Sequence, residues 1–322
     1  MEQLDRVALE AAPVNPFGPD DRPIHLTVAA ITDVGQRRSD NQDSFLVADL
    51  STAATEGGLL LSPELVSAQP DGSGSFDLGP KGALLLVVDG MGGVSGGSLA
   101  SRLAVVTVYA ELLIHWGADR NHTPRQFAQR LQEAMEQANT RIYQEGLRSP
   151  QYYGMGTTAT AVGILSGFLY LAQVGDSRAY LVRGEQTIQL TRDQSLIQEL
   201  LDSGMLTEEE AEHSDQRNMV LQALGAKPEV SVDLTYQELR RHDVVVLCTD
   251  GLYRVVSQEE IAQAVARTVD RAALISELVS LANARGGPDN ITLLIVDADG
   301  AGLEDPRAKD VVGRQVFTLP NA

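Results

Sequence analysis

The stretch Ala83-Leu-Leu-Leu-Val-Val88-Asp89-Gly90-Met91-Gly92-Gly93 sets an apolar run directly against a carboxylate and a cluster of glycines. A short apolar run of this kind, closed by a turn signal, reads as a buried strand. The arrangement recurs where Val244-Val-Val-Leu-Cys248-Thr249 leads into Asp250-Gly251. An isolated Asp-Gly after a strand is ordinarily a hairpin turn of the primed type. Neither segment returns as a partner strand, however. After Gly90 the chain passes through Met91-Gly-Gly-Val-Ser95-Gly-Gly97 into a helical pattern, and after Gly251 a short link leads to the capping box Ser257-Gln-Glu-Glu260. Two carboxylates therefore stand at two strand ends, each with a glycine that lets backbone come close. Such groups supply the hard oxygen ligands that Mg²⁺ or Mn²⁺ prefers.

Two further aspartates occupy similar settings: Asp43 in Arg38-Ser-Asp-Asn41-Gln42-Asp43, and Asp289 in Gly287-Pro288-Asp289-Asn290. Alone, Pro-Asp-Asn is as readily a turn that reverses the chain before the final strand, Ile291 to Val296. As a set, Asp43, Asp89, Asp250 and Asp289 read as one divalent-metal site.

The 322 residues suffice for one large core or two modest ones, and 43% apolar with 5% aromatic residues is ordinary for a globular protein. With 44 acidic against 25 basic residues, the net charge of −19 repels nucleic acid and anionic lipid. The lone Cys248 excludes an intramolecular disulfide and a thiolate metal cluster, and suits a reducing compartment. The acidic start Met1-Glu-Gln-Leu-Asp-Arg6 lacks an apolar signal region, and no stretch is read as a membrane span of about 20 residues. The chain is expected to be cytoplasmic.

Residues 1–23 read as a loose arm, 24–298 as the folded domain, and 299–322 as a loose tail. Within the domain, about 50–81 carries Gly, Ser, Pro and Asp and reads as a long loop or insertion. A helix from about Ser98 to Trp116 is expected to bury Leu99, Leu103, Val106, Ala110 and Leu113. A second is marked by Thr123 as N-cap, Pro124, and Phe127, Leu131, Met135, Ala138 and Ile142 at helical spacing. Residues 156–190 read as a β-meander turning at Ser166-Gly167, Gly175-Asp176-Ser177 and Arg183-Gly184-Glu185, and shorter helices follow at 194–203, 207–213, 258–268 and 271–284. Strands in runs with helices between them, rather than strict β-α alternation, favour an α+β fold of antiparallel sheets packed between helices.

Other motifs carry less. Gly90 to Gly97 lacks the ending of a P-loop and the third glycine of a dinucleotide fingerprint. Gly93-Val-Ser95-Gly-Gly97 matches a serine nucleophile elbow, with His242 downstream as a base, but the elbow is displaced from its strand and leaves the aspartates unused. Gly175-Asp176-Ser177-Arg178 alone reads as a tight hairpin turn, and Arg38 alone as a surface arginine. His25, His115, His122, His213 and His242 show no zinc-like spacing.

In order, however, Thr32-Asp-Val-Gly35-x-x-Arg38-x-x-Asn41-Gln42-Asp43, Val88-Asp89-Gly90-Met91-Gly92-Gly93, Gly156-Thr-Thr158, Val174-Gly175-Asp176-Ser177-Arg178, Arg217-Asn218 with Ala223-Leu-Gly225, Thr249-Asp250-Gly251-Leu252 and Gly287-Pro-Asp289-Asn290-Ile-Thr292 resemble the motif series of metal-dependent serine/threonine protein phosphatases of type 2C, in their bacterial form. The resemblance spans about residues 24–297. It implies an αββα sandwich, two antiparallel sheets flanked by helices, with a two-metal site at one end. It implies that Asp89 bridges two Mg²⁺ or Mn²⁺ ions, that the Gly90 carbonyl, Asp43, Asp250 and Asp289 complete their shells, that Arg38 holds the substrate phosphate, and that Asp176 binds a third ion. It also implies a flap at about 193–225, with phosphorylated proteins and serine/threonine kinases as partners. From the charge and the lack of a span, neither nucleic acid nor membrane is expected as a partner, and a monomer is expected.

The chain departs from the family at Met91, where a histidine is often proposed as general acid, at Gln194 and Gln222 in the flap, and at Tyr253-Arg254, where an acid usually follows Asp-Gly-Leu. Two rivals to the phosphatase reading are a Ser95 hydrolase and a non-catalytic phosphoprotein-binding domain.

Overall fold

In chain order, β1 (His25–Asp33), β2 (Asp43–Asp49), β3 (Leu60–Leu61), β4 (Ser73–Asp77) and β5 (Ala83–Met91) precede α1 (Gly93–Glu111) and α2 (Pro124–Arg148). Then come β6 (Gly156–Thr157), β7 (Ala159–Leu165), β8 (Phe168–Val174), β9 (Arg178–Arg183), β10 (Gln186–Gln189), α3 (Leu196–Asp202) and α4 (Glu208–Glu212). The chain closes with β11 (Asp233–Glu238), β12 (Asp243–Cys248), α5 (Asp250–Tyr253), α6 (Gln258–Arg267), α7 (Arg271–Ala284), β13 (Ile291–Asp299) and β14 (Gln315–Val316). This computed structural model describes residues 22–52, 60–63, 72–212, 214, 216 and 218–319. Most of the expected arm, parts of the 50–81 insertion, His213 and Arg217 lie outside the described residues.

Side chains alternate along a strand, so the apolar run of β5 serves two cores. Leu84, Leu86 and Val88 meet Ala100, Ala104, Phe127 and Leu131 of α1 and α2, whereas Leu85 and Val87 meet the facing sheet. That sheet answers with Val28, Val245, Leu247, Leu294 and Val296, and turns Val244, Val246, Leu293 and Ile295 outward against α6 and α7. Four layers result, the αββα sandwich expected. One antiparallel sheet runs β10-β9-β12-β13-β1-β4, and the other β14-β11-β8-β7-β5-β2-β3 with β6 beside β5.

Local signals account for the helix boundaries. Thr123 accepts from the Gln126 amide and Gln126 reaches back, closing a capping box before Pro124, and Phe127, Leu131, Met135, Ala138 and Ile142 are all buried. Ser257 and Glu260 cap α6 in the same way, and Asp270 accepts from Ala272 and Ala273 at the start of α7.

Several expectations need correction. Helix α1 begins at Gly93, not near Ser98, so the glycine-rich segment forms its first turns. Its buried stripe is Ala100, Ala104 and Val108, continued by Leu112 in the π-helical turn Leu112–Trp116 that follows, while Val106 is half exposed, because a helix apolar nearly all round does not declare its face. Ser95–Trp116 is in fact long and apolar enough for a membrane span, with mean hydropathy 1.4, yet its stripe packs on β5 and α2. The meander divides between sheets: β8 pairs with β7 and β11, and β9 with β10 and β12. Gly175-Asp176-Ser177 is therefore a crossing between sheets, not a hairpin turn. The described parts of the insertion form edge strands, β3 on β2 and β4 on β1. Residues expected as a loose tail are packed: Arg240 pairs with Asp310 at 2.8 Å, and the Phe317 ring lies 6.0 Å from that of Tyr170.

Phe127 is the pivot of the α2 contact, fully buried, 4.9 Å from the Trp116 ring and 5.7 Å from that of Tyr170. Phe127→Ala is expected to lower stability by about 3–5 kcal/mol in urea unfolding, the range for deleting a buried aromatic side chain.

Candidate active site

Strand pairing gathers the aspartates at one end of the sandwich. Antiparallel β2 and β5 put Asp43 directly opposite Asp89. Strand β12 ends at Cys248, opposite Leu293 of β13, so Asp250 and Asp289, on the two segments beyond that pair, come together. Arg38, Asp89, Gly90, Asp176, Asp250 and Asp289 all line one cleft of about 830 Å³. Asp43, 7% exposed, lies beneath it.

Close backbone approach builds this floor. A Cβ on Gly90 would lie 2.2 Å from the Gly97 carbonyl oxygen and 2.6 Å from that of Gln42, and one on Gly251 would lie 1.9 Å from that of Asn290. The Asn290 side chain ties the segments together: its Oδ1 accepts from the Gln42 amide at 2.8 Å, and its Nδ2 donates to the carbonyls of Val34 and Asp40. Thr157 and Thr158 hold the Asp89 carbonyl, by hydroxyl at 2.9 Å and amide at 2.8 Å.

The electrostatics of the floor are unfavourable without a cation. Burial pushes the Asp43 carboxyl up to about 7, against the hydroxyl of Thr249, which donates to its Oδ2 at 2.8 Å. Asp89 is held well above the usual carboxylate range by burial and then by Asp43, Asp250, Asp176 and Asp289. Asp250 is raised chiefly by burial. Oδ1 of Asp43 and Oδ1 of Asp250 are buried without a hydrogen-bond partner. Unpaired buried oxygens amid like charges suit a divalent cation. Among the described residues, no three His, Cys, Asp or Glu side chains form a ready-made cage for one ion. Water would therefore fill much of each shell, as Mg²⁺ commonly requires.

Arg38 stands at the rim, half exposed, with Nη2 2.6 Å from Asp289 Oδ2. Asp176 comes from the sheet crossing; burial, then Asp250, raises its carboxyl to about 6. Its Oδ2 accepts from the Tyr253 hydroxyl at 3.2 Å and from Arg254 at 3.3 Å. Gln194 secures the base of the 193–225 segment, its Oε1 accepting from the Gly175 amide at 2.8 Å. Ser95 is exposed at the cleft end of α1, whereas His242 precedes β12, whose six residues separate it from the cleft by roughly 20 Å. The serine-elbow pairing is thus ruled out. Thr249, Asn290 and Arg254 were not expected in the site, although each is next to, or four residues from, an aspartate that was.

The protein phosphatase 2C family model matches residues 71–283. The chain belongs to the protein phosphatase 2C family. Protein phosphatase PhpP of Streptococcus pneumoniae is 33% identical over 279 residues, covering 87% of this chain and 100% of that protein. Serine/threonine protein phosphatase PstP of Mycobacterium tuberculosis is 37% identical over 242 residues, covering 74% of this chain and 45% of that protein. Among solved structures, the serine/threonine phosphatase of S. agalactiae superposes with a TM-score of 0.70 at 32% identity, over 84% of this chain and 98% of that one. The PstP catalytic domain in complex with 2 manganese ions superposes with a TM-score of 0.66 at 30% identity, over 86% of this chain and 99% of that one. Arg38, Asp43 and Asp289 lie outside the matched residues 71–283 and join the site through the fold.

In metal-free protein, Asp43 and Asp176 hold protons more tightly folded than unfolded, since their carboxyls are raised from about 3.8 to about 7 and about 6. Unfolding releases those protons, so stability falls as pH rises from about 4 to about 7. Thermal unfolding in EDTA should show Tm dropping over this window, with a shallower drop in Asp89→Asn and recovery at pH 7.5 on adding Mn²⁺. A Tm that rises with pH in EDTA would contradict the reading.

Proposed function

We propose that this protein phosphatase hydrolyses phosphoserine and phosphothreonine in proteins, with water as nucleophile at a two-metal aspartate site. The observation that carries the proposal is the mutually repelling set of Asp43, Asp89 and Asp250, largely buried, with the partly exposed Asp289, and two unpartnered oxygens, under a cleft rimmed by Arg38. Asp89 would be shared between two Mg²⁺ or Mn²⁺ ions, with Asp43, the Gly90 carbonyl, Asp250 and Asp289 as further ligands. Bound there, the ions supply Lewis acidity toward phosphoryl oxygens and lower the pKa of a water toward neutrality.

The chain's own groups do the positioning. The planar guanidinium of Arg38 matches two phosphate oxygens at once and offsets the charge that grows on them during in-line attack. Thr249 fixes Asp43, and Thr157 with Thr158 fixes the backbone at Asp89. No protein nucleophile is needed: Cys248 is fully buried, with its thiol pushed up to about 12 by burial. Among the described residues no histidine lines the cleft, and Met91 does, so no side chain is assigned to protonate the leaving alkoxide. Without cations the carboxylates repel a phosphoanion, which keeps the empty site from binding its substrate unproductively.

The same proposal has the enzyme acting as a monomer in the cytoplasm, on substrates of serine/threonine kinases. Hydrolysis of a phosphothreonine peptide should require Mn²⁺ or Mg²⁺ and stop in EDTA. Arg38→Ala should lower kcat/KM by about 10–100-fold, the worth of a charge-assisted hydrogen bond of about 1.5–3 kcal/mol. Full turnover in EDTA would sink the proposal.

A further inference from the structure

Asp176 and Asp250 reach the same wall of the cleft from different sheet segments, and a guanidinium lies between them. Nη2 of Arg254 is 3.0 Å from Asp250 Oδ2 and 3.3 Å from Asp176 Oδ2. Its Nη1 donates to Asn218 Oδ1 in the 193–225 segment. The placement follows from spacing, because Arg254 lies four residues after Asp250 across the one-turn helix α5. Its neighbour is also locked. The Tyr253 hydroxyl donates to Asp176, and the Tyr253 ring carries Arg178, whose guanidinium sits 3.8 Å from the ring centroid and bonds Asp193 through two nitrogens.

Two buried carboxylates converging on one point would ordinarily suit a divalent cation. The expectation that Asp176 binds a third ion therefore meets an occupied position. We propose that Arg254 is the built-in cation of the Asp176–Asp250 position, so that this chain takes no metal ion there. The oxygens divide accordingly. Asp250 turns Oδ2 to Arg254 and leaves Oδ1, buried and unpartnered, to the main cluster. Arg254 is a positioning residue: it neutralises the outer carboxylate of the cleft permanently and ties Asn218 to the aspartate wall. The inference rests on the metal-dependent reading above.

The test counts Mn²⁺ bound to folded protein, by paramagnetic resonance of the free ion and by metal analysis after dialysis. Asp176→Asn should bind as many ions as the wild type. Arg254→Met should bind one more, Arg254→Lys should match the wild type, and Arg254→Met with Asp176→Asn should lose the extra ion again. Loss of one ion in Asp176→Asn, or no gain in Arg254→Met that folds as judged by circular dichroism, would overturn the inference while leaving the proposed function standing. A wild type that binds no Mn²⁺ would overturn both.

Discussion

Like charges buried together are the constraint around which the rest of this structure is arranged. Asp43 and Asp89 face each other directly across β2 and β5, where like charges destabilise pairing, and Asp250 and Asp289 close in from the other sheet. A register slip of one residue would turn either carboxylate to the opposite face. The register holds because every residue of β2 is buried and because β5 is packed on both faces. The glycines and Asn290 serve the same end, letting the segments that carry the aspartates touch backbone to backbone.

That cluster costs stability that the two sheets and their helices must supply, a common exchange at functional sites. Two arginines moderate the cost in different ways. Arg38 is half exposed and pairs with the rim carboxylate of Asp289; under the proposed function it would turn toward a phosphate once a cation took that carboxylate. Arg254 is mostly buried between Asp176 and Asp250 and is braced by Asn218, a placement suited to structure rather than exchange. Membership of the protein phosphatase 2C family agrees with this layout.

Much of the fold was legible because its signals are local. The β5 and β12 runs, the capping boxes of α2 and α6, and the Asp-Gly pairs each declare themselves within a few residues. What was not legible depends on distant partners. The sheet change at Gly175 looks like any hairpin turn until β9 is seen pairing with β12. Strand β11, Asp-Leu-Thr-Tyr-Gln-Glu, was not foreseen: it is largely polar, and Gln237 is buried because it bonds the Val311 carbonyl of the C-terminal segment. The packing of the C-terminal segment depends on distant partners in the same way. In the site, Asp43, Asp89, Asp250, Asp289, Arg38, Gly90 and Asp176 are marked by their motifs in the sequence, and the fold brings them to one end of the sandwich, whereas the position of Arg254 depends on where the carboxylates lie relative to one another.

If these carboxylates hold cations at Asp89, as proposed, anomalous diffraction from crystals soaked in Mn²⁺ will show it. Manganese peaks should flank Asp89, within ligand distance of Asp43, Asp250 and Asp289, with none between Asp176 and Arg254. An active enzyme whose crystals show no manganese beside Asp89 would contradict the proposal.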